Sequence, residues 1–322
     1  MKFRREALDL DCDREIERIC SFIKQQTTSM KREGVVVGLS GGIDSALSSS
    51  LCVEALGKES VLGLILPEKE SNPISAQYAK KHARRLGIKI LEIDITPVLE
   101  GFGTYEKRDA IIRKMVPDYE PDSRIKITLP GNLLARDAYN FFTLNIMRRN
   151  GEVSSCRLNK ATLNGIVAAT DTKQRTRMMQ LYYYAEMNNY LVCGTTNRSE
   201  QMQGFFVKYG DGGVDIEPIA HLYKTQVYQI SRRLGVMKEI LDRVPSPDTF
   251  SYEVSDEEFY FRMPYDVLDL LLYAWENKIG IPEVCEALDL EEQQVARAFR
   301  EIANKHNSTK HLRESPPNLL EA

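Results

Sequence analysis

Val35-Val36-Val37-Gly38-Leu39-Ser40-Gly41-Gly42-Ile43-Asp44-Ser45 is the stretch on which the fold turns. A continuous apolar run, residues 35–39, is the pattern of a strand buried on both faces. Residues 44–56 then predict a helix with Ala46, Leu47, Leu51 and Val53 facing inward. Between them, Gly41 and Gly42 let the backbone come close to an anion, and the N–H groups at the helix start point at it with the helix dipole behind them. Ser40 and Ser45 add hydroxyl donors. Asp44 alone would repel a phosphate, so its natural role is to hold Mg²⁺ between itself and the phosphates. The plainer reading is a glycine turn with a serine cap. Neither a Walker loop nor a Gly-x-Gly-x-x-Gly fingerprint is present.

Working outward, residues 13–31 predict a helix, with Ile16, Ile19, Cys20 and Ile23 on one apolar face. Residues 61–66 and 88–95 read as further strands, with a helix over 74–86 between them. This alternation implies an α/β fold, a doubly wound parallel sheet with helices on both faces. Residues 96–170 are broken by Pro97, Gly101, Gly103, Pro117, Pro121, Pro130 and Gly131. They are expected to be an irregular insertion of lid or substrate-loop type, helical only over 135–147. Residues 173–187 then predict a helix, 190–194 a buried strand, and 224–234 a helix ended by Gly235. A C-terminal helical extension is expected over 265–275, 281–288 and 291–304, with an extended tail from Ser315. These expectations give one domain, 1–255, whose C-terminal helices and tail are 256–322.

Hydrophobic residues make up 43% and charged residues 28% of the 322, the composition of an ordinary globular protein. Lys and Arg number 43 against 46 Asp and Glu, a net charge of −3, which gives no reason to expect a nucleic-acid partner. The six cysteines include no Cys-x-x-Cys pair and sit among apolar neighbours, so neither a metal cluster nor a disulfide framework is expected. Met1-Lys2-Phe3-Arg4-Arg5-Glu6 has no apolar run behind it, and no segment approaches the roughly 20 apolar residues of a membrane span. A cytoplasmic protein with no membrane partner is expected.

Residues 40–45 resemble the signature of the N-type ATP pyrophosphatases, which cleave ATP between the α- and β-phosphates. That superfamily includes NAD, GMP and asparagine synthetases and several tRNA-modifying enzymes. The resemblance implies an adenine nucleotide α-hydrolase-like sheet. Four later stretches resemble the ammonia-dependent NAD synthetases: Arg175-Thr176-Arg177-Met178, then Gly194-Thr195-Thr196-Asn197-Arg198-Ser199-Glu200, then residues 204–215, and then Lys224-Thr225-Gln226 with Pro245-Ser246-Pro247-Asp248 behind it. Asp256-Glu257-Glu258 and Tyr265 look like the acidic stretch before that family's C-terminal helices.

By this resemblance, Gly38, Ser40, Gly41, Gly42, Asp44, Ser45, Thr195, Lys224 and Ser246 bind ATP, and Asp44 and Glu200 hold magnesium. Arg175, Lys208, Asp211 and Asp215 bind deamido-NAD. Lys310 joins them by its neighbourhood, although Thr309-Lys310-His311 inverts the family's His-Lys order. Residues 68–72 are expected near adenine. The implied reaction is that of a ligase in NAD biosynthesis. A carboxylate attacks the α-phosphate to give an acyl-adenylate and pyrophosphate, and ammonia then displaces AMP. A homodimer whose interface contacts the acid substrate is implied too, with Tyr182, Tyr183 and Tyr184 as packing residues at such a contact.

Some single residues have plainer readings. Glu200 could serve only as a helix cap, Arg175 and Arg177 as a solvated helix face, and Gly210–Gly213 as a hairpin turn. Lys224 near a helix start opposes the dipole, and a bound phosphate would explain it. His82 and His221 read as structural and Trp275 as core. No segment is large enough for a glutaminase domain, so free or separately delivered ammonia is the expected nitrogen source. The middle insertion is longer than in a compact NAD synthetase, which leaves open a relative acting on another carboxylic acid. A tRNA-modifying enzyme would favour paired cysteines or a basic appendage, and a mere nucleotide-binding module would not need Asp44, Glu200, Lys224 and Ser246 together.

Overall fold

The apolar run at the start of the phosphate loop is the centre of the molecule. In the computed structural model, which describes residues 2–135 and 141–319, strand β1 (Gly34–Gly38) has Val35, Val36 and Val37 wholly buried. The chain runs α1 (Cys12–Ser29), β1, α2 (Ile43–Leu56), β2 (Val61–Ile65), α3 (Pro73–Leu86), β3 (Lys89–Glu92), α4 (Thr96–Phe102), α5 (Thr104–Arg113). Next come β4 (Arg124–Thr128), β5 (Thr143–Met147), β6 (Val153–Arg157), α6 (Lys160–Asn188), β7 (Tyr190–Cys193), α7 (Arg198–Gln203), α8 (Lys224–Arg233) and α9 (Lys238–Leu241). Helices α10 (Tyr265–Glu276), α11 (Ile281–Leu288), α12 (Glu292–Ser308) and α13 (Lys310–Arg313) complete it.

Four parallel strands lie in the order β3-β2-β1-β7. Val36 of β1 aligns with Leu62 of β2 and Val192 of β7. The pleat sends Val35 and Val37 to one face, where they meet Ile19 and Ile23 of α1, Leu47 and Leu51 of α2 and Ile230 of α8. Val36, Leu62, Leu64 and Val192 point to the other, against Leu99 of α4, Tyr105 of α5 and Ala185 of α6. Helices therefore cover both faces, as the alternation predicts. Each fully buried valine stabilises the fold by roughly 1.5–3 kcal/mol relative to exposure. The C-terminal helices form a separate apolar cluster that takes in Phe3 and Leu8 from the N-terminus. Among the described residues no helix is long and apolar enough to cross a membrane.

The middle segment corrects the sequence expectation. Within 96–170 the described residues form regular elements: α4 and α5 come first, and β4, β5 and β6 form an antiparallel sheet. The expected helix over 135–147 fails at its end, where 143–147 is strand β5; residues 136–140 lie outside the described residues. Leu144 and Ile146 face inward with Ile125 and Ile127 of β4, while Thr143 and Asn145 alternate outward. A period of two wins there because a neighbouring strand supplies the hydrogen bonds and the buried face. Helix α6 also starts thirteen residues before its expected start at 173, where the Asn159 side chain accepts from the Thr162 N–H at 2.9 Å.

Candidate active site

The loops that leave the carboxyl ends of β1, β2 and β7 surround a cavity of about 880 Å³, at the end of the sheet where open parallel folds bind ligands. Gly38, Ser40, Gly42, Asp44 and Ser45 line it. Gly41 supports the wall from behind: its φ is +75°, and a Cβ there would lie 2.2 Å from the Ser75 carbonyl oxygen. Ser45 Oγ donates to the Gly42 carbonyl at 3.0 Å and accepts from the Ser40 N–H at 3.3 Å, so the loop is held by its own hydroxyls.

Lys224, at the first position of α8, is 2% exposed. Its Nζ lies 2.5 Å from Asp44 Oδ2 and 3.3 Å from Glu200 Oε1. Glu200 is also the third residue of α7 in a capping box with Asn197, and its Oε2 accepts from the Asn197 N–H at 3.2 Å. The capping and the charged contact are thus both present, one on each carboxylate oxygen. Asn197 Nδ2 donates to Asp44 Oδ1 at 2.9 Å, which fixes the aspartate's second oxygen. Burial pushes the Glu200 carboxyl up to about 8, with Lys224 opposing and Asp44 and Asp256 reinforcing. Burial also works against the Lys224 charge, but Asp44 and Glu200 outweigh it and hold the ammonium firmly protonated.

Thr195, Ser246, Arg175, Lys208 and Asp211 line the same cavity. Arg175 donates to the Lys208 carbonyl at 3.4 Å and approaches Asp171 at 3.8 Å. Lys208 Nζ donates to the carbonyls of His311 and Glu314, tying it to the C-terminal segment. Asp211 accepts from the Val207 N–H at 2.8 Å, and burial lifts its carboxyl to about 6. Glu68, Lys69, Ser71 and Asn72 also reach the wall, as expected of that loop.

Two candidates are not brought in. Asp215 is exposed, outside the wall; its oxygens accept from the Val192 N–H at 2.7 Å and the Tyr182 hydroxyl at 3.1 Å. Lys310 is also outside, its ammonium paired with Glu314 at 3.2 Å. A motif match identifies a residue without fixing the direction of its side chain.

Two other wall residues were named only within family-like stretches and given no site role. Arg177, open to a surface reading, donates to the Leu66 carbonyl at 3.1 Å and lines the cavity. Asp256 is buried and accepts from the Tyr265 hydroxyl at 2.8 Å through Oδ2, while Oδ1 has no hydrogen-bond partner among the described residues. Behind the wall, Lys173, 1% exposed, joins Glu68 at 2.9 Å, Glu70 at 2.7 Å and the Thr249 carbonyl at 2.9 Å. Arg108 of α5 meets Glu70 at 2.7 Å. Burial would raise the Glu70 carboxyl, yet Lys173 and Arg108 hold it down at about 2. A lysine two positions before Arg175 was the available signal for this cluster. His82 and His221 are structural as read: His82 is buried against the Ala46 carbonyl, and His221 pairs with Glu15.

Comparison with known proteins agrees with this architecture. The sequence profile described as NAD synthase matches residues 15–130 and 132–316. An NH(3)-dependent NAD(+) synthetase from Rhizobium meliloti (strain 1021) is 43% identical over 314 residues, 98% of this chain and 94% of that protein. One from Thermotoga maritima is 40% identical over 265 residues, covering 81% of this chain and 86% of that protein. Among solved structures, the NMN synthetase from Francisella tularensis superposes with a TM-score of 0.67 at 24% identity, covering 96% of this chain and 99% of that one. The NH3-dependent NAD synthetase from Campylobacter jejuni gives 0.63 at 24% identity, covering 96% and 100%. These two share the fold. A profile match across most of the chain and relatives above 40% identity over nearly its full length go further than fold: this chain belongs to the NAD synthase family.

Proposed function

We propose that this protein makes NAD from deamido-NAD, ATP and ammonia, forming the amide through an acyl-adenylate. The observation that carries the reading is the convergence of Asp44, Glu200 and Lys224 beside the phosphate loop, in a cavity whose wall also presents Arg175, Lys208 and Asp211. The triphosphate is assigned to residues 40–45 with Thr195, Lys224 and Ser246, and the acid substrate to Arg175, Lys208 and Asp211. The nicotinate carboxylate attacks the α-phosphorus, the bond to the bridging oxygen breaks, and pyrophosphate leaves with the electron pair. Ammonia then attacks the acyl carbon, AMP leaves with the C–O pair, and the nitrogen gives up one proton. Neither step needs a protein nucleophile; both need charge stabilisation and exclusion of water.

Asp44 and Glu200 also suit Mg²⁺. They offer hard carboxylate oxygens around one cationic position, and among the described residues no group of three or more His, Cys, Asp or Glu is arranged to hold a metal alone. A two-carboxylate set fits an ion that keeps water and phosphate oxygens in its shell. When bound, the ion supplies charge neutralisation on the phosphates. Lys224, kept protonated, adds a fixed positive charge for the leaving pyrophosphate.

A homodimer is proposed through α6. Met179, Tyr183 and Met187 recur every four residues and are 52%, 60% and 61% exposed, forming an apolar stripe along one face. Asp215 is bonded to Tyr182 of the same helix, which puts it beside this proposed contact. The reaction is assigned to the cytoplasm with free ammonia as nitrogen donor. The test is to incubate the protein with ATP, Mg²⁺, ammonium and deamido-NAD. Equimolar NAD, AMP and pyrophosphate are expected; ATP consumption without NAD, or NAD without AMP, overturns the proposal.

A further inference from the structure

We propose that Arg243 is a further phosphate ligand of this site, gripping the β- and γ-phosphates from the Gly41 side of the loop. The proposal rests on the assignment of ATP to residues 40–45. Arg243 follows α9 and lines the same cavity, partly buried. Its Nη2 donates to Ser75 Oγ at 2.8 Å and its Nη1 reaches the Gly41 carbonyl at 3.4 Å. Both partners are neutral oxygens, and among the described residues the guanidinium makes no direct ion pair. A guanidinium carries five N–H donors in a planar fork suited to bidentate phosphate contacts, so it retains donors for a ligand.

The contrast with Lys224 decides the matter. That ammonium is shared between two carboxylates, whereas the charge of Arg243 remains largely uncompensated in the wall. A carboxylate, Asp248, is linked to Arg243 through Ser75, whose Oγ donates to Asp248 Oδ2 at 2.8 Å. This bond turns the Ser75 lone pairs toward the guanidinium. Asp248 sits at φ +48° and its N–H donates to Ser246 Oγ at 3.2 Å. Arg243, Ser75, Asp248 and Ser246 therefore form one hydrogen-bonded chain from the phosphate loop to a proposed phosphate hydroxyl. A leaving pyrophosphate is more highly charged than AMP, and a cation held by neutral partners beside the loop is matched to it.

The experiment compares wild type, Arg243→Met and Arg243→Lys by calorimetric binding of ATP and of AMP with Mg²⁺, and by inhibition with inorganic pyrophosphate. Arg243→Met is expected to weaken ATP and pyrophosphate at least tenfold while AMP, which lacks the β- and γ-phosphates, changes less than twofold. Arg243→Lys should recover part of the loss. Equal weakening of ATP and AMP would mark a purely structural role and overturn the proposal, as would unchanged ATP and pyrophosphate binding. If Arg243→Met does not fold, Arg243→Lys alone decides by the same ATP-to-AMP ratio. A wild-type protein that binds no ATP would sink the underlying assignment instead.

Discussion

At Gly41 the backbone takes a left-handed turn and passes so close to Ser75 that no side chain fits. Gly41→Ala combines a left-handed penalty of roughly 1–2 kcal/mol with that collision. The loop must move, and kcat/KM for ATP is expected to fall by at least about a hundredfold, the scale of losing one preorganised donor; steady-state kinetics will show it. Lys224 makes a second test. In Lys224→Met the two carboxylates lose their counter-charge, so Mg²⁺ alone should raise the melting temperature of the variant more than that of wild type. An equal or smaller rise would separate Asp44 and Glu200 from the proposed metal. The loop residues were legible in the sequence because loop chemistry is local, two glycines, two hydroxyls and one carboxylate within six positions, whereas Glu200 and Lys224 came only through the family resemblance. Arg243 was not legible, because nothing in its neighbours says that a fold will bring it against Gly41.

Elements were readable where one pattern dominated: α1, β1, α2, β2 and α3 came out within two residues of their observed limits, whereas the start of α6 was missed and β3 is shorter than expected. The sheet of β4, β5 and β6 was not readable, since its short strands bury only alternate side chains and gain that buried face only from one another. What fastens α5 and α6 to the loop after β2 at the nucleotide end is the buried group of Lys173, Glu68, Glu70 and Arg108. Lys173→Met leaves Glu68 and Glu70 short of a partner, and breaking such a buried pair costs about 3–5 kcal/mol. Urea denaturation should show a loss of that order. Packing of α3 on α2 gives a pH test. Burial lowers the His82 ring to about 4 from an ordinary 6.5. The unfolded chain takes up that proton first, so stability present above pH 6.5 is lost as pH falls toward 4, by about 3 kcal/mol in all. His82→Gln should flatten this part of the stability–pH curve; an unchanged slope would assign it to other groups.

For the molecule as a whole, the apolar stripe on α6 sets the assembly prediction. Tyr183→Glu places a charge in the middle of the proposed contact, and sedimentation velocity should shift from dimer to monomer. A wild type that is monomeric at micromolar concentration would remove the dimer. Composition and a net charge of −3 say nothing of this surface; the family resemblance pointed to Tyr182–Tyr184, and the fold adds that Met179, Tyr183 and Met187 share one exposed face of α6. Strand order carries one more implication, this time for synthesis on the ribosome. Strand β1, at residues 34–38, lies between β2 and a strand formed by residues 190–193. One edge of this buried strand therefore stays unpaired until well over half the chain has emerged. Nascent chains that stall before residue 190 should be the aggregation-prone species, and chaperone dependence should fall once β7 is available to close that edge.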